Sequence, residues 1–128
     1  MQDVIAITNR RLCDRPFLEQ IERVCKLYPA AVILREKDLS DAEYAALAAD
    51  VYSVCKKYNV RLILHTYVGA ARRLEHLRIH LPMPEFVRWQ NDLDDFAEKG
   101  VSTHSLDDAL YAQEHGADYI TASHIFAT

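Results

Sequence analysis

Short runs of aliphatic and β-branched residues recur along the chain: Val4-Ile-Ala-Ile-Thr8, Ala31-Val-Ile-Leu34, Arg61-Leu-Ile-Leu64, Arg78-Ile-His-Leu81, Val101-Ser-Thr-His104 and Tyr119-Ile-Thr-Ala122. Several are apolar almost throughout, the pattern of strands buried on both faces. Between them apolar residues return at helical spacing. The clearest case is residues 40–58, where Ala42, Ala45, Ala46 and Ala49 make one stripe and Leu47, Val51, Val54 and Cys55 widen it. Capping chemistry marks the helix starts: Ser40 with Glu43 fits a capping box, and Ser105 with Asp108 is its shorter-armed version. Asp14 followed by Pro16 suits a third start, and Pro84 a fourth. Gly100 and Gly116 follow helical patterns and precede strands, where a left-handed C-terminal cap is expected.

The predicted order is therefore βαβαβαβαβαβ, with strands beginning near residues 4, 31, 61, 78, 100 and 118. Strict alternation with helical crossovers requires a mostly parallel sheet covered by helices. An open doubly wound sheet and a (β/α)8 barrel both satisfy this. The units are short, and eight of them would approach the ~200-residue lower limit of such a barrel. The 128-residue chain stops just after its sixth strand. The expected architecture is a single domain over residues 1–128, a partial (β/α)8 barrel lacking its last two units. Such a barrel is expected to be a fragment, or to be completed by another subunit. A homo-oligomer would cover the sheet edges and the apolar interior.

Composition narrows the function classes. Half the residues are hydrophobic and 27% are charged, with a formal charge of −4. No tract holds more than two consecutive basic residues, which argues against a nucleic-acid surface. No apolar run approaches the ~20 residues of a membrane span, and the first ten residues lack a basic n-region. Cys13, Cys25 and Cys55 are an odd number without metal-ligand spacing, so reduced packing thiols in a cytoplasmic protein are expected.

Ligands of parallel α/β folds meet the loops that follow the strands. His65, His104 and His124 lie at predicted strand ends, and His80 sits slightly earlier. Arg35-Glu36-Lys37-Asp38 is the densest charge run. It reads either as a solvated loop or as Arg35 and Lys37 converging on a phosphate or carboxylate. There is no Gly-rich phosphate loop, no Gly-x-Ser-x-Gly and no metal-ligand spacing.

The segments Ala6-Ile-Thr-Asn-Arg10, Leu34-Arg-Glu-Lys-Asp38, Gly100-Val-Ser-Thr-His-Ser-Leu106, Gly116-Ala-Asp-Tyr-Ile120 and Ser123-His-Ile-Phe-Ala-Thr128 together resemble the thiamine phosphate synthase superfamily of (β/α)8 barrels. Its synthases join an aminopyrimidine pyrophosphate to a thiazole phosphate with magnesium on the pyrophosphate. They carry Asn-Asp after strand three and Asp after strand four. Here those places read His65-Thr66 and Leu81-Pro-Met-Pro-Glu85, poor in the oxygen ligands a hard cation needs. Leu81-Pro82 and His124-Ile-Phe-Ala-Thr128 resemble instead the TenI-like branch. That resemblance implies a thiazole tautomerase that aromatises a carboxythiazole phosphate, with His124 as the catalytic acid/base and no metal or cofactor. Arg35 and Lys37 would then hold the substrate carboxylate, and His65 and His104 would orient the ligand or fill the barrel mouth. The alternatives are a magnesium-using thiamine phosphate synthase and a non-catalytic relative that binds thiamine precursors.

Overall fold

The computed structural model describes residues 4–122. It divides into two compact units, residues 1–76 and 77–128. The first holds β1 (Ile5–Ile7), a single 3-10 turn (Arg10–Leu12), α1 (Phe17–Cys25), β2 (Ala31–Leu34), α2 (Asp41–Lys57), β3 (Leu62–His65) and α3 (Val68–Arg73). The second holds β4 (Arg78–Pro82), α4 (Met83–Trp89), a 3-10 turn (Gln90–Asp92), β5 (Glu98–Thr103), α5 (Leu106–Glu114) and β6 (Tyr119–Ala122). Every strand pair within a unit is parallel. Element order and parallel pairing are those of a partial (β/α)8 barrel, as the hydrophobic rhythm predicts. No described helix is long and apolar enough to cross a membrane.

In the first unit Ile7 pairs with Ile33, and Leu34 with Leu64, so the three strands end on one rim. All four residues of β2 and all four of β3 are buried. The α1 residues Ile21 and Cys25 and the α2 residues Ala45, Ala48, Val51 and Cys55 complete the core. The thiols of Cys25 and Cys55 are 3.9 Å apart and unoxidised, and burial pushes the Cys55 thiol up to about 12.

The Ser40 capping box is present in both directions, and Ser105 accepts from the Asp108 amide. Three local expectations need correction. Pro16, not Asp14, precedes the first turn of α1, and no side chain caps that helix. In α2 the buried stripe runs through Tyr44, Ala45, Ala48, Val51 and Cys55, leaving Ala42, Ala46 and Ala49 exposed. The large Tyr44 ring sets that face; alanines have little apolar area to gain by facing inward.

The third correction concerns Gly100. Gly116 has φ +98° and caps α5 as expected, but Gly100 lies inside β5. A Cβ there would come within 2.0 Å of the Tyr119 ring. Its glycine is therefore required by a close approach across the sheet, not by a turn. Gly100→Ala is expected to displace Tyr119 and cost about 1–3 kcal/mol, the usual range for overpacking. Thermal unfolding checks this, and in a Tyr119→Ala background the added methyl should cost far less.

Candidate functional site

The rim at the ends of β1 and β2 is stitched together by one buried carboxylate. Glu36 is 4% exposed. It accepts from the Thr8 hydroxyl at 2.7 Å, from the Arg10 amide at 3.1 Å and from Arg10 Nη1 at 3.0 Å. The Thr8 hydroxyl in turn accepts from the Arg35 amide at 3.0 Å. Arg10 also grips Asp38 in a two-pronged pair at 2.7 and 2.8 Å, and Arg11 reaches the same carboxylate at 2.9 Å. Those guanidiniums, Arg10 first, hold the Asp38 carboxyl well below the usual carboxylate range.

Glu36 is buried, whereas its neighbours Arg35 and Lys37 are both exposed. Among the described residues neither takes a carboxylate partner. They line a shallow cleft of about 190 Å³ with Asn9, Arg11, Glu36 and Asp38. The structure thus places the two predicted anion holders together at one lip.

The end of β3 is organised by Tyr44. Its buried hydroxyl donates to the Leu34 carbonyl at 2.6 Å and accepts from the His65 amide at 2.9 Å. Its ring stacks on Tyr67 at 4.0 Å, and the Tyr67 hydroxyl donates to the Leu39 carbonyl. His65 is buried, with Nδ1 2.8 Å from the Thr66 hydroxyl. Thr66 has φ +72°, and the Tyr67 amide donates to the His65 carbonyl across it. A β-branched residue in that region is a strained turn. Tyr44→Phe should cost about 1–3 kcal/mol, because it strands a buried carbonyl and a buried amide; urea unfolding measures it. A larger cleft, about 440 Å³, lies between α2 and β3 and is lined mainly by Ala48, Tyr52, Leu62 and Leu64. It shares no lining residue with the Arg35–Lys37 cleft.

In the second unit His80, Gly100 and Tyr119 sit at one register level across β4, β5 and β6. The missing Gly100 side chain lets Tyr119 lean toward His80. His80 Nδ1 is 3.0 Å from the Tyr119 hydroxyl and Nε2 is 2.7 Å from the Ser102 hydroxyl. Burial lowers the His80 imidazole to about 4, so it is neutral near pH 7. The Tyr119 and Ser102 hydroxyls can donate or accept as its tautomer requires.

His104 follows β5 and is exposed. His124 lies outside the described residues. Pattern reading put the weight on strand-end histidines and did not single out Glu36, Arg10, Tyr44, Ser102 or Tyr119. Their roles depend on contacts between elements distant in sequence, which no local pattern carries.

A family model described as thiamine monophosphate synthase matches residues 4–128. The chain belongs to the thiamine monophosphate synthase family. A putative thiamine-phosphate synthase 2 of Aquifex aeolicus is 40% identical over 96% of this chain and 67% of its own length. A thiamine-phosphate synthase of Caldanaerobacter subterraneus subsp. tengcongensis is 34% identical over 96% of this chain and 61% of its own. A solved thiamine phosphate pyrophosphorylase from Pyrococcus furiosus superposes with a TM-score of 0.79 at 22% identity, covering 97% of this chain and 61% of that one. At that identity it shows the fold alone. The chain therefore spans roughly two thirds or less of these relatives.

These matches correct the branch expected from sequence. The relatives carry the synthase name, which overturns assignment to the TenI-like branch and with it the thiazole tautomerase reading. Short motifs misled: Leu81-Pro82 and His124-Ile-Phe-Ala-Thr128 are a small share of the chain, whereas similarity over its whole length favours the synthases.

The resemblance to the synthases implies magnesium on the pyrophosphate. Among the described residues no three His, Cys, Asp or Glu side chains gather as a metal site. Glu36 and Asp38 are held by arginines, and the end of β3 offers His65 and Thr66. Neither the arginine-bound carboxylates of this rim nor the end of β3 fits a magnesium ion.

Proposed function

We propose that the protein is a thiamine-phosphate synthase in its whole form. It would join the thiazole nitrogen of a thiazole phosphate to the methylene carbon of an aminopyrimidine pyrophosphate and release diphosphate. The observation that carries this reading is the synthase name of relatives aligned over nearly the whole chain, at up to 40% identity.

The rim geometry supports it. The reaction expels a multiply charged leaving group, so fixed cations at the place where charge develops lower its barrier. Arg35 and Lys37 present two such cations on backbone fastened through Thr8 and Glu36. In the second unit neutral His80, held between Ser102 and Tyr119, offers a polar face of fixed orientation. His65 and His104 have no assigned step in this reading.

The test supplies both precursors to the protein and follows thiamine phosphate by chromatography. Product should accumulate with one diphosphate released per turnover, and Arg35→Ala should lower kcat/KM at least about tenfold. Absence of the coupled product from a folded, full-length preparation would overturn the proposal.

A further inference from the structure

We infer that the Arg35–Lys37 lip binds its diphosphate-class ligand without a divalent cation held by the surrounding side chains. The inference deepens the synthase reading and rests on it for the ligand class. A small hard cation on a diphosphate normally keeps one or two protein carboxylates as ligands. Around this lip the described carboxylates already have donors. Glu36 is taken by Thr8 and Arg10, and Asp38 by Arg10 and Arg11. Asp41 pairs with Arg73 at 2.8 Å, and Glu43 accepts from the Ser40 amide at 2.9 Å in the capping box.

Turning Glu36 or Asp38 toward a metal would release Arg10 and part the two loops that shape the lip. Arg35 and Lys37 carry no such obligation. Both are exposed and line the same cleft, in a chain whose net charge is −4. A guanidinium fork and an ammonium two residues apart match adjacent phosphoryl oxygens and supply the counter-charge themselves.

Isothermal titration of the full chain with inorganic diphosphate tests this, in EDTA and in excess magnesium. Binding should persist in EDTA and be no tighter with magnesium, which competes for the free anion. Arg35→Ala and Lys37→Ala, both surface changes expected to leave the fold intact, should each weaken it about tenfold. Binding that vanishes in EDTA and returns with magnesium would overturn the inference, as would undiminished binding by both variants. The synthase reading fails separately: metal-free diphosphate binding without coupled product would sink that reading and leave this one standing.

Discussion

Glu36→Ala is expected to destabilise the first unit by about 2–3 kcal/mol, one of the two largest effects foreseen for a single side chain here. Removing one partner of a buried ion pair commonly costs ~3–5 kcal/mol. Arg10 is 28% exposed on its side chain, and water can recover part of its loss. The Thr8 hydroxyl and the Arg10 amide have less recourse, because Thr8 is 9% exposed. Glu36→Gln keeps the volume and an acceptor for Thr8, but turns an amide toward a guanidinium, so about 1–2 kcal/mol is expected. Urea denaturation of the three proteins gives the ranking directly. If alanine and glutamine were both silent, Glu36 would not be the fastening that its contacts describe.

The second large effect is on pH dependence. The unfolded chain protonates His80 near 6.5, whereas the folded chain resists until about 4. Between those values the unfolded state binds more protons, so stability is complete above about pH 6.5 and falls as the pH drops toward 4. The loss accumulates to about 3 kcal/mol at the lower end of that window. Carboxylates such as Asp38, Glu22 and Glu43, whose folded values are lowered, also lose stability on acidification, but mainly below the unfolded carboxylate range. Comparing denaturation midpoints of wild type and His80→Gln between about pH 7 and 5 isolates the histidine. The wild type should weaken across that range distinctly more than the variant; parallel curves would show that His80 is not held neutral.

How much of this was legible beforehand varies from residue to residue. Ala31–Leu34 reads as a strand because a continuous apolar run of that length has no other economical use, and the structure begins and ends it there. Ser40 and Glu43 announce α2 because capping is a contact between near neighbours. Gly100 deceived because a glycine after a helical pattern looks the same whether a turn or a distant ring demands it, and Tyr119 lies on another strand. In the charge run at 35–38 the two cations stand out by their spacing, but nothing local tells that Glu36 is buried while Asp38 is exposed, or that Arg10 binds both. Tyr44 could not be recognised as a bridge, since its partners Leu34 and His65 belong to two other elements. The branch of the family was the least legible, because short motifs at the strand ends spoke for one branch and similarity over the whole chain for the other.

The Tyr44 bridge has a further consequence. One hydroxyl clasps the last carbonyl of β2 and the last amide of β3, so these two strand ends share a single hinge pin. Motions that would separate them must first break both bonds inside an apolar layer. The backbone leading into the lip beyond β2 is thus held at Leu34, so the anion site proposed above would ask little backbone reorganisation of a ligand. The His65 amide proton should accordingly be among the slowest in the first unit to exchange with solvent deuterium, because it leaves only when that unit opens.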